Sequence, residues 1–159
     1  MEELVTRKAT FAAGCFWSIE NAFRKIDGVI ATKAGYSGGN WSEPTYKDVC
    51  SGKTGHAEVV QLEYDPQKIP YQKLLDEFWQ MHDPTTLNRQ GPDVGEQYRS
   101  EIFFHTPEQQ VDARRSKESW QERSNREIVT EITPASTFYP AEEYHQCYLE
   151  KNANKHWWH

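Results

Sequence analysis

The sequence has few cysteines and no long apolar run. Its three cysteines, Cys15, Cys50 and Cys147, are too few and too scattered for a disulfide scaffold, and no Cys-x-x-Cys is present. The odd count predicts at least one thiol outside a disulfide. The chain does not begin with a basic and then apolar leader, and no stretch of about 18 apolar residues could span a membrane. We therefore expect a cytoplasmic protein with no membrane partner.

The sequence also lacks a block of basic residues. It has 18 Lys and Arg against 24 Asp and Glu, a formal net charge of −6, so we expect no nucleic-acid partner. Aromatic residues are abundant instead, at 13% with six Trp and eight Tyr, and we expect some of these rings to line a cleft. The 159 residues suit a single domain over 1–159. We expect a monomer.

Strand and helix patterns alternate along the chain. The predicted strands cover 6–13, 29–36, 57–64, 101–105 and 127–133, and the predicted helices cover 16–26, 71–81, 107–126 and 141–151. Two long polar loops, 41–54 and 82–99, lie between them. This order predicts an α+β or α/β domain, with chemistry gathered on the loops and at one strand-to-helix junction.

That junction carries Cys15. Gly14 lets the chain turn sharply, and a cysteine at a helix start faces unpaired N–H groups and the positive end of the helix dipole. Both favour the nucleophilic thiolate. Phe16 and Trp17 place two apolar rings beside the sulfur, which suits a small apolar group next to an electrophilic atom. The alternative is a structural cysteine buried in an aromatic core.

Two further segments offer a proton donor and phenols. Glu58, between Ala57 and Val59, is a candidate acid with a raised pKa, or else a solvent-facing strand residue. With His56 it forms half of a zinc-deaminase signature whose cysteine half is missing. Tyr98, with Tyr46 from the earlier loop, could clamp a polarised oxygen. The alternative is that these tyrosines cover edges of the core.

The last segment places Cys147 in the predicted short helix. It is a candidate resolving thiol or a shielded bystander. Metal binding with His145 and the terminal histidines is a third alternative, but the spacings match no standard site.

Taken together, four segments resemble the A-type peptide-methionine sulfoxide reductases. They are Gly-Cys-Phe-Trp at 14–17, Gly-x-x-Gly-His-Ala-Glu at 52–58, the run from Asp-Pro-Thr-Thr-Leu-Asn-Arg-Gln-Gly to Gln-Tyr-Arg-Ser over 83–100, and Ala-Glu-Glu-Tyr-His-Gln at 141–146. They occur in the order of the family and span about residues 9–152. The resemblance implies an α/β two-layer sandwich with a ferredoxin-like core, in which helices pack on a mixed sheet.

The resemblance also implies a reaction: thiol-dependent reduction of the S epimer of methionine sulfoxide, free or in proteins, without a cofactor or metal. Cys15 would attack the sulfoxide sulfur and become a sulfenic acid, and Glu58 would supply a proton to the oxygen. Tyr46 and Tyr98 would hydrogen-bond that oxygen. The substrate-binding residues would also include Phe16 and Trp17, which hold the methyl group, and Asp93, which orders the pocket.

The sulfenic acid on Cys15 could be reduced back to the thiol in two ways. Many family members use a second cysteine, often in a Gly-Tyr-Cys tail that this chain lacks, and thioredoxin then reduces the disulfide. Here either Cys147 resolves the sulfenic acid or an external thiol does, and we favour Cys147 because thiol exchange needs only access and geometry. Cys50 resembles a common family cysteine that the chemistry does not require.

A rival hypothesis from another class is a binding module for methionine or methyl-bearing peptides, with Cys15 merely packed. Rapid alkylation of Cys15 at pH 6 is the expected sign of a catalytic thiolate, and slow alkylation would favour the rival.

Overall fold

The computed structural model describes residues 5–148. Eight strands lie in this part of the chain: β1 (Arg7–Ala13), β2 (Val29–Ser37), β3 (Ala57–Tyr64), β4 (Arg89–Gln90), β5 (Asp93–Val94), β6 (Ser100–Phe104), β7 (Glu131–Pro134) and β8 (Tyr139–Pro140). Its four α-helices are α1 (Phe16–Arg24), α2 (Tyr46–Cys50), α3 (Tyr71–Met81) and α4 (Pro107–Arg123). Two single-turn 3-10 helices occupy Glu96–Tyr98 and Glu143–His145.

The sheet has a ferredoxin-like core, as the family resemblance implies. Four strands in the order β6-β1-β3-β2 pair in antiparallel fashion, with α1 connecting β1 to β2 and α3 following β3. β7 extends this sheet in parallel beside β6, and β8 pairs with β2 at the other edge, so the six-stranded sheet is mixed. β4 and β5 form a separate two-stranded hairpin.

Period-two alternation decides which side chains face the helices. In β1, Ala9, Phe11 and Ala13 belong to the main core, which α1 and α3 cover with Phe23 and Phe78. The other face carries a smaller cluster of Ala12, Ala57, Val59 and Phe103, against which Ala135 and Phe138 pack. Since side chains on a strand alternate between faces, the helix-facing set of β3 is Glu58, Val60, Leu62 and Tyr64. A carboxyl group therefore begins a face that is otherwise apolar.

Several predicted boundaries need correction. Tyr71–Met81 and Ala57–Tyr64 are confirmed at their predicted bounds, whereas α1 ends at Arg24, α4 ends at Arg123 and β7 begins only at Glu131. The predicted loop 41–54 contains α2, where Thr45 and Asp48 form a capping box. The predicted loop 82–99 contains the β4–β5 hairpin and a 3-10 turn.

The predicted helix 141–151 is wrong in its described part. Over residues 141–147 only a 3-10 turn, Glu143–His145, forms, and Cys147 has a positive φ of 54°, which α-helical backbone does not allow; α-helical structure appears only at Tyr148. The rest of that segment and the terminal histidines lie outside the described residues. Among residues 5–148, no helix combines the length and apolar character that crossing a membrane requires.

Candidate active site

Cys15 lies where β1 gives way to α1. Gly14 turns the chain with a φ of +104°, and a Cβ there would lie 2.9 Å from Cγ of Gln90 in the hairpin, so both conformation and space call for glycine. Cys15 is the N-cap of α1, and its carbonyl accepts from the amide of Ile19. The sulfur is therefore presented at a helix start, as the sequence predicts, with the hairpin packed against the turn that precedes it.

Glu58 lies beside the same helix start. The β1–β3 register pairs Phe11 with Val60, so Glu58 falls opposite the end of β1, where α1 begins. Its Oε1 accepts from the backbone amide of Phe16 at 3.2 Å, while its buried Oε2 has no hydrogen-bond partner among the described residues. The residue is 1% exposed. Solvent-facing placement, the alternative from sequence, is excluded.

The pKa of Glu58 is raised to about 7. Burial is the main cause and the charge of Asp93 adds to it, whereas the hydrogen bond from the Phe16 amide opposes the rise. A carboxyl group in this range exchanges its proton near neutral pH, which suits a general acid.

Cys15 does not have the lowered pKa that the sequence predicts. The pKa of its thiol is raised to about 11, chiefly by burial and also by the charges of Glu58 and Asp93. The amides of Trp17 and Ser18 lower that pKa, as expected at a helix start. The side chain of Cys15 nevertheless makes no capping hydrogen bond to the helix. Desolvation therefore outweighs the helix start, and without substrate the sulfur is a thiol at neutral pH.

Two phenols and a second carboxylate complete the cluster. Burial is the main cause that raises the pKa of Tyr98 to about 12, and Glu58, Asp93 and Cys15 all act on it electrostatically. Burial also raises the pKa of Tyr46, which is hydrogen-bonded to Cys50 and feels the charge of Glu58. Both phenols therefore keep their protons at neutral pH and remain hydrogen-bond donors.

Aromatic rings form one wall of the cluster. Tyr46 lies 6.3 Å from Phe16 and 6.4 Å from Trp17, measured between ring centroids. Trp17 donates from Nε1 to Nδ1 of His145 at 2.9 Å and stacks on Tyr148 at 3.9 Å. Phe16 is buried and Trp17 is half-buried, so a partly exposed apolar surface adjoins the sulfur.

The segment 142–146 supports this wall, and the sequence argument did not assign it this role. Glu142 accepts from the hydroxyl of Tyr36 and from the amide of Tyr46. Gln146 accepts from the amide of Ala34 and donates to its carbonyl, both at 2.9 Å, as a neighbouring strand would. The cluster of polar side chains in this motif was the one sequence feature that could have indicated this role. Spacing alone could not show which backbone groups these side chains would hydrogen-bond.

His56 has a structural task. Its Nδ1 accepts from the amide of Gly39 at 2.9 Å, so Nε2 carries the proton and donates to the carbonyl of Trp41 at 2.6 Å. Both ring nitrogens thus hold the loop after β2. Over residues 5–148, no group of three or more His, Cys, Asp or Glu side chains could hold a metal ion.

Cys147 lies against helix α1. Its amide donates to Oε1 of Glu20 at 2.7 Å, and its sulfur contacts the guanidinium of Arg24, the last residue of α1. Cys15 precedes the first residue of the same helix. All three cysteines lie in the described part of the chain, and none is in a disulfide there. The exposed Cys50, at the end of α2, is hydrogen-bonded to Tyr46 of the cluster.

Sequence comparison agrees with this geometry. The family described as "PMSR: Peptide methionine sulfoxide reductase" matches residues 7–159. The "Peptide methionine sulfoxide reductase MsrA" of Methanothermobacter thermautotrophicus is 61% identical over 150 residues, 93% of this chain and 89% of that protein. The protein of the same name from Geobacter metallireducens is 62% identical over 146 residues, 91% of this chain and 90% of that protein.

Solved structures of related proteins have the same fold. Mxr1 from Saccharomyces cerevisiae in reduced form superposes with a TM-score of 0.90 at 42% identity, covering 96% of this chain and 88% of that one. Methionine sulfoxide reductase A of Corynebacterium diphtheriae gives a TM-score of 0.90 at 37% identity, covering 93% of this chain and 76% of that one. Mxr1 has also been solved in complex with Trx2. That structure gives a TM-score of 0.66 at 30% identity and covers 92% of this chain and 87% of that one.

A family profile that spans almost the whole chain, close relatives and a shared fold all agree with the buried carboxyl group beside a cysteine at a helix start. The chain belongs to the A-type peptide methionine sulfoxide reductase family and is an oxidoreductase.

Proposed function

We propose that this protein reduces the S epimer of methionine sulfoxide, free or in proteins, and so repairs oxidised methionine. One observation carries the proposal: beside Cys15, Oε2 of Glu58 is buried without a partner among the described residues, and the pKa of this carboxyl group is about 7. A buried unpaired oxygen is costly unless another group meets it. A sulfoxide oxygen that accepts a proton from Glu58 would do so.

In the proposed reaction Cys15 attacks the sulfoxide sulfur as a thiolate, and Glu58 gives its proton to the sulfoxide oxygen. This attack joins the two sulfurs. The protonated oxygen then moves to Cys15 as the substrate sulfur loses its bonds to oxygen and to Cys15, so that methionine leaves and Cys15 carries a sulfenic acid. The cysteine is oxidised by two electrons and the sulfoxide is reduced by two. Since the thiol has a pKa of about 11 and Glu58 one of about 7, the proton on Cys15 must be released before attack, and Glu58 must be protonated.

The remaining cluster residues have binding roles in this proposal. Tyr46 and Tyr98 donate hydrogen bonds to the sulfoxide oxygen as it gains negative charge. Phe16 and Trp17 hold the methyl group, which determines the epimer that fits. Asp93 raises the pKa of both Cys15 and Glu58, so its charge favours the protonated form of each group.

For the second half of the cycle we propose that Cys147 resolves the sulfenic acid. Its thiolate would attack the sulfur of Cys15 and form a disulfide as the sulfur–oxygen bond breaks, and the leaving hydroxide would take up a proton to become water; thioredoxin or another thiol reductant then reduces the disulfide. The solved complex of Mxr1 with Trx2 supports a thioredoxin partner. Cys147 must first leave Glu20 and Arg24, because a disulfide needs Cα atoms about 4.4–6.8 Å apart.

The alternative is direct reduction of the sulfenic acid by an external thiol. Mass spectrometry after one turnover without reductant distinguishes the two: a Cys15–Cys147 disulfide supports resolution by Cys147, and an isolated sulfenic acid excludes it. Cys147→Ser should then accumulate the sulfenic acid, while Cys50→Ser, the matched control, should behave as wild type. Cytoplasmic location and a single-domain monomer that works without nucleic acid are also part of the proposal.

The first experiment is turnover of the separated S and R epimers with dithiothreitol, a dithiol that needs no particular resolving cysteine. Consumption of S but not R supports the proposal, and Cys15→Ser should abolish it. Turnover of neither epimer favours the binding-module hypothesis. Alkylation at pH 6 does not discriminate, because the raised pKa of Cys15 predicts slow alkylation of the free protein under either hypothesis.

A further inference from the structure

Glu142 belongs to a motif that the proposed chemistry does not use. Its carboxylate contacts three tyrosines: Oε1 accepts from the hydroxyl of Tyr36 at 3.2 Å, and Oε2 accepts from the amide of Tyr46 at 3.1 Å and from the hydroxyl of Tyr144 at 3.3 Å. Burial tends to raise the pKa of Glu142, but its own backbone amide, the Tyr46 amide and the Tyr36 hydroxyl together lower it below its usual value. The group is therefore an anion at neutral pH.

One of these contacts fixes the start of α2. Tyr46 is the first residue of this five-residue helix, and amides in a first turn have no partner within their own helix. Thr45 and Asp48 cap each other, so their capping box does not supply a partner for the Tyr46 amide. The carboxylate of Glu142 does, and its negative charge suits the positive end of a helix.

The short helix has few other attachments. Val49 is its buried residue, while the remaining residues of α2 are half-buried or exposed. The ring of Tyr46 leaves the helix toward the cluster, 4.4 Å from the ring of His145. A shift at the start of α2 would therefore move this phenol relative to Glu58, the charge of which it feels.

We infer that Glu142 is a positioning residue that fixes Tyr46 in the catalytic pocket by holding the amide of Tyr46 from across the fold. The inference rests on the proposed function, in which the Tyr46 hydroxyl meets the sulfoxide oxygen. Glu142 touches no reacting atom in this scheme. In this inference its effect on the rate passes through Tyr46. A displacement of the Tyr46 hydroxyl by about 1 Å is enough to weaken a hydrogen bond that forms in the transition state.

Glu142→Gln is the primary test. The Tyr36 hydroxyl and the Tyr46 amide meet different oxygens of Glu142, and glutamine has an oxygen at only one of these two positions and an NH₂ donor at the other, so it cannot keep both contacts in this geometry. We expect kcat for the S epimer to fall about tenfold while KM changes less than about twofold, as for an interaction made only in the transition state. Glu142→Asp keeps the charge and both oxygens and should recover part of kcat, whereas Glu142→Ala should not.

Tyr144→Phe is the matched control. It removes the third donor to the same carboxylate but leaves the Tyr46 amide in place, and it should keep the kcat of the wild type. A double-mutant cycle with Tyr46→Phe then tests the route of the effect: Glu142→Gln should add little to Tyr46→Phe. If the two effects multiply, or if Glu142→Asp is no better than Glu142→Ala, the positioning role is wrong.

A readout without activity separates this inference from the proposed function. Hydrogen exchange of the Tyr46 amide, followed by NMR, should speed up at least about tenfold in Glu142→Gln but not in Tyr144→Phe, because a broken hydrogen bond exposes the amide. Unchanged exchange overturns the inference whatever the enzyme does. Absence of S-epimer turnover in the wild type, with exchange altered as expected, would instead overturn the proposed function and leave the Glu142–Tyr46 contact established.

Discussion

Replacing Glu58 with glutamine should move two rates in opposite directions. The amide keeps an oxygen for the backbone amide of Phe16, but it carries no acidic proton and no negative charge. Reduction of the sulfoxide should slow, because the proton donor is lost. Alkylation of Cys15 should quicken, because the charge of Glu58 is one of the causes of the raised cysteine pKa.

The size of each effect follows from the two pKa values. A pKa of about 11 leaves about one thiol in 10⁴ ionised at pH 7, and each unit by which that pKa falls raises the thiolate about tenfold. Loss of a general acid typically slows a reaction by about 10²–10⁴-fold. We expect the fall in kcat/KM at pH 7 to lie in this range.

The pH dependence gives the sharper test. The reactive form has its proton on Glu58 and none on Cys15, so the two groups together hold one proton. With pKa values of about 7 and about 11, forms with one proton predominate between these limits. Wild-type kcat/KM should therefore rise with pH up to about 7 and then level. In Glu58→Gln only Cys15 titrates, so kcat/KM should keep rising about tenfold per unit from pH 7 to 9.

The assay compares wild type, Glu58→Gln and the control Glu63→Gln, an exposed glutamate on the same strand. Turnover of the S epimer with dithiothreitol is measured from pH 5.5 to 9, and alkylation by iodoacetamide is followed by mass spectrometry of the Cys15 peptide. Alkylation should be faster in Glu58→Gln at pH 8, where wild-type Glu58 is charged, and similar at pH 5.5, where it is not. The reasoning would be refuted if kcat/KM of both wild type and Glu58→Gln levelled near pH 7, or if Cys15 in Glu58→Gln were alkylated more slowly than in wild type at pH 8.

Three further changes test the parts around the site. Gly14→Ala forces a φ of +104° and a 2.9 Å contact on an L residue, so we expect a loss of roughly 2 kcal/mol or more in the free energy of unfolding and a lower kcat/KM, measured by urea denaturation and turnover. Burial lowers the pKa of His82 to about 4, whereas in the unfolded chain its ring binds a proton below about 6.5. The free energy of unfolding should therefore fall by up to about 3 kcal/mol as the pH drops from 6.5 to 4. In His82→Gln most of this pH dependence should be lost, as measured by urea denaturation at each pH. His145→Phe removes the acceptor of the Trp17 indole and should raise KM several-fold with a smaller change in kcat; an unchanged KM would mean that the indole needs no such anchor.

Local patterns were enough to predict most of the fold. Alternating apolar residues fixed β3 at Ala57–Tyr64, and helical spacing fixed α3 at Tyr71–Met81, because each pattern reports the face that one element buries. The predictions were weaker where the chain forms short elements held by distant partners. The hairpin β4–β5, the helix α2 and the turn at 143–145 lie within or beside polar segments whose sequence shows no period.

The candidate site divides in the same way. The residue patterns placed Cys15 at a helix start and singled out Glu58, Tyr46 and Tyr98, and the family resemblance added Asp93; electrostatic interactions link these groups in the folded chain. The sequence could not show that Cys147 would lie against Glu20 and Arg24, since that placement depends on how the last described segment crosses α1.

Protonation was decided only by the tertiary structure. A helix start by itself favours a thiolate, and the sequence shows that helix start plainly. Yet the pKa of Cys15 is raised, because β3 and the β4–β5 hairpin bring Glu58 and Asp93 to a sulfur that the surrounding side chains have desolvated. Sequence thus determined the long elements and the groups that the chain carries. Burial and charge at the site depend on contacts between distant segments, so only the folded chain could set the pKa of its nucleophile.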